Sequence, residues 1–341
     1  MNILIIGGTG VISTGITRLL VARGDTVTLY NRGKRAADIP HTRQIVGDRK
    51  DYAAFEAQMA EAGTFDAVID MVAFIPDEVE SAIRAFKGQT AQYIFCSTVD
   101  VYTKPSARYP VTENAERQPL LSFPYALNKA KCEFILEEAH ARSDFAVTTI
   151  RPAWTYGEGG ALLHPLGWSS YFLDRLRKGK PVILPGDGTS FWAACHRDDM
   201  ARAFMGALGN ERAFGKSYHT TGEEWLTWDA YHHIVAEALG APVPTLVHIP
   251  TDLLGKVAPK TAEWCVENFH FNNVFDNAAA RADLGFAYTI PFAEGARRVI
   301  AWQEAHGGFE DSDNFPFYDA ILAAWERLGT EMAAELKPLD L

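Results

Sequence analysis

Two side chains in this sequence have the types and spacing of a proton relay. Tyr125 and Lys129 stand four apart in Pro124 to Arg142, a stretch with helical patterning, so they share one helix face. A tyrosine in water has a pKa of about 10, too high for a good base at neutral pH. A neighbouring ammonium favours the phenolate and lowers that value. A hydroxyl from Ser97 or Thr98 can hold a substrate oxygen against the phenol, and Asp100 follows as a further carboxylate, either a base or a turn cap. The chemistry of such a group is proton transfer at a carbinol or carbonyl carbon. A tyrosine and lysine at this spacing also occur by chance as a plain helix surface pair, so the meaning rests on the elements around them.

Those elements begin at the N-terminus. Ile3-Leu4-Ile5-Ile6 is an apolar run, Gly7-Gly8-Thr9-Gly10 a glycine turn, Val11 to Arg23 a helical pattern and Thr26 to Tyr30 a second apolar run. Strand, turn, helix and strand in this order make half of a dinucleotide-binding unit. The glycines tighten the turn and let backbone approach a pyrophosphate, whose charge sits on the helix N-terminus. Ser13 stands where a third glycine would be, and Gly15 is expected to supply part of the close approach of helix to strand. The alternative is a flavodoxin-like α/β turn that holds no dinucleotide.

At the end of the second run an acidic residue would take the ribose 2′-hydroxyl of NAD. Asn31 occupies that place, and Arg32, Lys34 and Arg35 follow. A guanidinium binds a 2′-phosphate in a fork, so the expected cofactor is NADP, with NAD as the alternative. A solvated basic loop is the competing account.

The rhythm continues with strands over Thr42 to Val46, Phe65 to Met71 running on to Phe74, Gln92 to Cys96 and Phe145 to Ile150. Helices alternate with them over Tyr52 to Ala62, Pro76 to Lys87 and Pro124 to Arg142. Alternation at this spacing predicts an α/β fold, a Rossmann-like doubly wound parallel sheet with helices on both faces. Right-handed crossovers then put every strand C-terminus on one rim, where ligands bind. Ser97-Thr98, Tyr125 and Arg151-Pro152 all fall at that rim.

Beyond Pro152 the pattern breaks. Helices are expected over Ser169 to Lys178, Asp198 to Leu208, Thr227 to Leu239 (with Thr227 as N-cap), Asn277 to Leu284, Pro291 to His306 and Phe317 to Leu336. Short strands are expected at Val182 to Leu184, Tyr218 to Thr221 and Thr245 to Ile249. The expected organisation is a dinucleotide-binding domain over 1–152, completed by segments from about 195–221, with an interleaved, smaller C-terminal substrate-binding lobe over 153–341.

Composition narrows the function classes. The 341 residues are 48% hydrophobic and 22% charged, an ordinary globular balance. The net charge of −11 repels phosphate backbones and argues against general nucleic-acid binding. No apolar run approaches a membrane span, and no basic region with an apolar core opens the chain, so a cytoplasmic protein without membrane contact is expected. Cys96, Cys132, Cys195 and Cys265 are widely spaced, which predicts inert thiols in a reducing compartment and neither disulfides nor a zinc site. Adjacent His232 and His233 point apart on a helix and are poor co-ligands; both are expected at a helix surface or edge, and no metal is expected.

Taken together, these motifs resemble the extended short-chain dehydrogenase/reductases, the NAD(P)-dependent sugar epimerase/dehydratase family. The resemblance runs from Asn2 to about His306. It rests on Gly7-Gly8-Thr9-Gly10, Gly47-Asp48, Ser97-Thr98 with Tyr102, Tyr125 with Lys129, Arg151-Pro152 with Tyr156-Gly157, Pro185-Gly186-Asp187-Gly188 and His196-Arg197-Asp198-Asp199. It implies Tyr125 as acid/base, Lys129 as the group that lowers its pKa and holds the nicotinamide ribose, and Thr98 as the hydroxyl residue. It implies Gly7, Thr9, Gly10, Val11 and Ile12 around the pyrophosphate, and Asp48 and Arg49 at the adenine. Val72, Ala73, Ser97 and Pro152 complete the cofactor site. A homodimer through the helices around Pro76 to Lys87 and Pro124 to Arg142 is implied as well.

Two departures bear on substrate. The nucleotide-sugar 4,6-dehydratases have two acidic residues after the position of Thr98; here they are Val99 and Asp100, and valine cannot protonate a leaving hydroxyl. Many nucleotide-sugar enzymes place an arginine where Trp192 stands, and an indole cannot pair with a diphosphate. An uncharged carbohydrate is therefore expected. Trp154 and Trp192 are candidate stacking faces for its ring, while at least half of the aromatics clustered in the second half of the chain are expected in the core. His164 is a weaker substrate candidate, more in keeping with a structural place. The expected activity is hydride transfer between nicotinamide and a carbinol carbon, as an epimerase or an oxidoreductase. The alternative is a non-catalytic cofactor sensor or RNA-binding member of the same fold.

Overall fold

In the computed structural model, residues 1–34 and 39–337 are described. Arg35 therefore lies outside the described residues. The chain divides into two compact units. The first comprises Met1–Gly157, Ala193–Glu224 and Val274–Pro291; the second comprises Glu158–Trp192, Trp225–Asn273 and Phe292–Leu341.

The first unit is built on a seven-stranded sheet. Its strands are β1 (Asn2–Ile6), β2 (Thr26–Asn31), β3 (Thr42–Val46), β4 (Phe65–Asp70), β5 (Thr90–Cys96), β6 (Ala146–Pro152) and the strand Lys216–Thr220. Across the sheet the order is Lys216–Thr220, β6, β5, β4, β1, β2, β3, and every pairing is parallel. Chain order reverses between β1 and β4, which opens the crevice where such sheets take ligands.

Alternation along the strands divides the core into two layers. Ile3 and Ile5 of β1, Val27 and Leu29 of β2, and Ile94 of β5 face one side. There they meet Ile16 and Leu20 of α1 (Val11–Arg23), and Met200 and Phe204 of the helix Arg197–Ala207. Leu4, Ile6, Tyr30, Tyr93 and Phe95 face the other side. There they meet Phe55 and Met59 of α2 (Tyr52–Ala62), Val79 and Phe86 of α3 (Pro76–Phe86), and Cys132 and Leu136 of α4 (Pro124–Ala141). Both sheet faces are covered, as an all-parallel sheet requires.

Gly15 works differently from the expectation. A Cβ there would stand 3.2 Å from Ala201 Cβ and 3.3 Å from Arg197 O. The close approach it permits is between two helices, α1 and Arg197–Ala207, and not between helix and strand. β4 also stops at Asp70 and does not run on to Phe74, because Asp70 Oδ1 accepts the backbone N–H groups of Val72 and Ala73 (3.0 Å each) and turns the chain.

The second unit is mostly helical, with the helices Tyr171–Arg177, Trp228–Ala238, Phe292–Ala305 and Pro316–Leu336. The strands Val182–Pro185 and Leu246–Ile249 pair in parallel, and Phe191–Trp192 pairs antiparallel with Leu226–Thr227. Thr227 caps its helix, its hydroxyl accepting from Ala230 N at 3.1 Å.

His233 is exposed, but His232 is fully buried, contrary to the surface position expected for both. His232 belongs to a chain of fixed hydrogen-bond direction. Trp228 O can only accept, so His232 Nδ1 carries a proton and donates to it (2.8 Å). His232 Nε2 then accepts from His164 Nδ1 (3.1 Å), and His164 Nε2 accepts from the Tyr318 hydroxyl (3.1 Å). Ile183 N donates to the same hydroxyl oxygen (2.6 Å). Each imidazole is neutral and satisfied, which gives His164 a structural place.

Among the described residues no helix is long and apolar enough to cross a membrane. All four cysteines are buried and unpaired, and burial alone pushes Cys265 up to about 12.

Candidate functional site

The glycine turn leaves β1 at Ile6 and enters α1 at Val11. Gly7 has φ +87°, and a Cβ there would lie 2.4 Å from Val72 Cγ1, so only glycine fits. A Cβ on Gly8 would meet Leu29 Cδ2 at 2.6 Å. Ser13 then braces the turn: its Oγ accepts from Gly10 N (2.8 Å) and donates to Gly7 O (2.8 Å). No acidic residue stands in the first turn of α1, so its N-terminal dipole is not already neutralised. Val11 and Ile12 open that helix, both half-buried, with Ile12 packed on the core beneath.

A cavity of about 660 Å³ runs from this turn along the ends of β2 and β3. Gly7, Thr9, Gly10, Asn31, Arg32, Asp48, Arg49 and Val72 line it, as do Tyr30, Lys34, Gly47, Lys50, Phe74 and Glu78. Asn31 Nδ2 is buried without a partner among the described residues. A backbone cradle that excludes Cβ atoms, an open helix N-terminus and an orphaned amide donor together fit a dinucleotide.

Four residues expected to touch the cofactor are buried, and two of them, Arg49 and Ala73, have other engagements. Arg49 is 6% exposed, and its guanidinium pairs with fully buried Asp70 and donates to Glu78 O. Tyr93 donates to the same Asp70 carboxylate (2.5 Å), which Arg49 holds below the usual carboxylate range despite burial. Arg49 thus reaches the cavity wall, but its charge belongs to the core. Ala73 is 0% exposed, so its side chain lines nothing; its carbonyl receives Lys129. Ser97 and Pro152 are buried at the ends of β5 and β6.

Thr98 caps the short turn Val99–Val101 directly after β5. Its hydroxyl donates to Asp100 Oδ2 (3.1 Å), accepts from Asp100 N (3.2 Å), and is hydrogen-bonded to the Tyr125 phenol. Asp100 Oδ1 receives Lys104 Nζ at 3.2 Å in a nearly buried ion pair. Lys104 carries no signal in the sequence, because the pairing needs the turn to form first. Thr98, Asp100, Lys104 and Tyr125 therefore make one connected group.

Lys129 is 2% exposed, and its ammonium donates to Ala73 O (2.8 Å) and Cys96 O (2.7 Å). It also lies 4.7 Å from the centres of the Phe74 and Phe95 rings. Burial raises the Tyr125 phenol above its ordinary value, and the Asp100 charge adds to that. The lysine was expected to make the phenol more acidic. With the ammonium held by two carbonyls, burial dominates instead, and the protonated phenol is favoured.

A charged layer lies below this group. Arg151 forks onto Glu133 (2.9 and 2.7 Å) and donates to the Tyr102 hydroxyl (2.6 Å). The Tyr102 hydroxyl donates to His219 Nε2 (2.5 Å), whose Nδ1 donates to Asp276 O (3.0 Å). These buried residues tie the turn after β5 to β6 and to the strand Lys216–Thr220.

Of the aromatic candidates, Trp154 is half-buried in the first unit and stacks on Tyr156 with ring centres 5.0 Å apart. Trp192, in the second unit, is 4% exposed and stacks on Trp228 at 5.1 Å, with Phe269 edge-on at 5.0 Å. Its Nε1 is buried without a hydrogen-bond partner among the described residues.

Residues 3–219 match the model of the NAD dependent epimerase/dehydratase family. A relative from Arabidopsis thaliana, chloroplast stem-loop binding protein of 41 kDa b, is 32% identical over 72% of this chain. The match spans 65% of that relative, a little under two thirds of its length. The 2'-dehydrokanamycin reductase of Streptomyces kanamyceticus is 27% identical over 81% of this chain and 77% of its own. Among solved structures, a UDP-glucose 4-epimerase from Thermotoga maritima superposes with a TM-score of 0.73 at 18% identity, covering 89% of this chain and 99% of that one, a likeness of fold.

Proposed function

The chain belongs to the NAD dependent epimerase/dehydratase family, and from that premise we propose that it is an NAD(P)-dependent oxidoreductase of a carbohydrate-like substrate, with Tyr125 as proton donor and acceptor. A bound nicotinamide would supply the hydride chemistry at the carbinol carbon. The chain's own residues handle the proton. Tyr125 holds the substrate oxygen and gives or takes its proton; Thr98 fixes the phenol; Lys129 has donors beyond the two carbonyls and holds the cofactor ribose. The connected group of Thr98, Asp100 and Tyr125 is the observation that carries this reading.

Reduction of a ketone is favoured over epimerisation. That direction starts from a protonated phenol, which is a tyrosine's ordinary form at neutral pH and which burial keeps. A relative named as a reductase supports it. NADP is the favoured cofactor, since no acid ends β2 and Arg32 lines the cavity. The substrate is uncharged, with half-buried Trp154 as a stacking face, whereas Trp192 is packed on Trp228 and Phe269 in the core of the second unit; the buried thiols suit a cytoplasmic enzyme. Homodimerisation through α3 and α4 is supported by Phe134, which is 45% exposed on α4.

The test is turnover of keto-sugars with NADPH. Stoichiometric loss of NADPH with appearance of an alcohol supports reduction. Interconversion of sugar epimers without added cofactor would replace reduction by epimerisation.

The name of the Arabidopsis relative favours a second reading, binding of an RNA stem-loop. The net charge of −11 works against it. An RNA hairpin shifted in a gel at micromolar protein, with no dinucleotide turnover on any keto-sugar, would decide for that reading.

A further inference from the structure

We propose that Lys50 is a ligand of the cofactor's 2′-phosphate and a determinant of the choice between NADP and NAD. The proposal rests on the dinucleotide reading of the cavity and deepens it.

β2 and β3 are neighbours in the sheet, and Asn31 is the register partner of Val46. Gly47 N donates to Asn31 O at 3.0 Å, so the segments that follow the two strands leave the sheet side by side. One carries Arg32 and Lys34; the other carries Asp48, Arg49 and Lys50. All five line the same cavity.

Of the two adjacent cations after β3, only one is available. Arg49 is turned inward onto Asp70, whereas Lys50 is exposed and makes no ion pair among the described residues. Its backbone is anchored: Lys50 N donates to Asp48 Oδ1 (3.0 Å), Asp51 N donates to Asp48 O (3.0 Å), and Asp51 caps α2 through Ala54 N (3.2 Å). The ammonium is thus carried on a fixed turn.

Charge around the cavity is unbalanced. Glu78 has its Oε2 engaged by Phe74 N (2.6 Å) and Ile75 N (3.3 Å), and Asp70 is paired with Arg49. Arg32, Lys34 and Lys50 then outnumber the carboxylates of Asp48 and Glu78 on the lining, and Asn31 Nδ2 remains an unpartnered donor among the described residues. Three cations on two adjoining turns, with an amide between them, match a dianionic phosphate ester. A bare ribose hydroxyl offers them no charge to meet.

Adenosine 2′,5′-bisphosphate and 5′-AMP are the probes, titrated calorimetrically against the full chain. Wild type should bind the bisphosphate at least about tenfold more tightly. Lys50→Ala should weaken the bisphosphate by about three- to tenfold and leave 5′-AMP unchanged, while Lys50→Arg restores most of the loss. The preference should shrink as salt rises. Lys50→Ala that leaves the bisphosphate preference intact overturns the role of Lys50 but keeps NADP. Equal binding of the two probes by wild type overturns both. An unchanged unfolding midpoint for Lys50→Ala excludes misfolding as the cause.

Discussion

Thr98 and Asp100 are joined twice, hydroxyl to carboxylate at 3.1 Å and backbone N–H to hydroxyl at 3.2 Å. This fixes the Thr98 rotor and makes Asp100 part of whatever Tyr125 does. A carboxylate this near the phenol opposes its ionisation. The pair therefore favours the acid form of the site.

Tyr125→Phe should lower turnover by about 10²- to 10⁴-fold, the usual worth of a positioned proton donor, with cofactor affinity nearly intact. Asp100→Asn removes the opposing charge. Phenol ionisation should then move to lower pH, and the alkaline limb of reductase kcat should move with it. Steady-state profiles on a turned-over keto-sugar read both effects, and an unmoved limb refutes the coupling.

Gly7→Ala should be destabilising and impair dinucleotide binding. The positive φ costs a residue with Cβ about 1–2 kcal/mol, and the contact with Val72 adds to that. Urea unfolding and NADPH fluorescence titration measure the two parts. Val72→Ala in the same chain should return the steric part only.

Arg49→Met leaves the Asp70 carboxylate buried without its cation. Loss of one partner of a buried pair costs about 3–5 kcal/mol. The linkage has a sign. Asp70 has a folded pKa below its unfolded value, so its contribution is present above pH ~4 and disappears as pH falls through the folded value. Unfolding free energy measured from pH 7 to pH 2 should fall less steeply for Arg49→Met than for wild type.

His232 gives a second acid limb. Burial lowers its pKa to about 4, against about 6.5 in the unfolded chain. The unfolded state then binds more protons, so stability is full above pH ~6.5 and declines toward pH ~4. Thermal midpoints between pH 7 and pH 4 should decline less for His232→Gln, even though that variant starts lower. A parallel decline would remove His232 as the cause.

Much of the scaffold was legible because it is written locally. Apolar runs, glycine turns and helix caps each occupy a few adjacent residues, and parallel order follows from their alternation. Thr42–Val46 and Tyr52–Ala62 have the bounds the sequence predicts. What could not be read depends on partners far along the chain. Arg49 meets Asp70, Lys129 meets the carbonyls of Ala73 and Cys96, and His232 meets His164. No short window tells whether a cation looks into a cavity or into the core, which is why Arg49, expected at the adenine, is found turned onto Asp70. Two-residue strands such as Phe191–Trp192 are likewise too short for a period to register.

Ser13 holds both ends of the glycine turn with one hydroxyl, at Gly7 O and at Gly10 N. A phosphate arriving at the turn therefore meets a mould already set. Little chain entropy is surrendered on capture, and the association should run near the speed of encounter, with tightness decided by how slowly the nucleotide escapes.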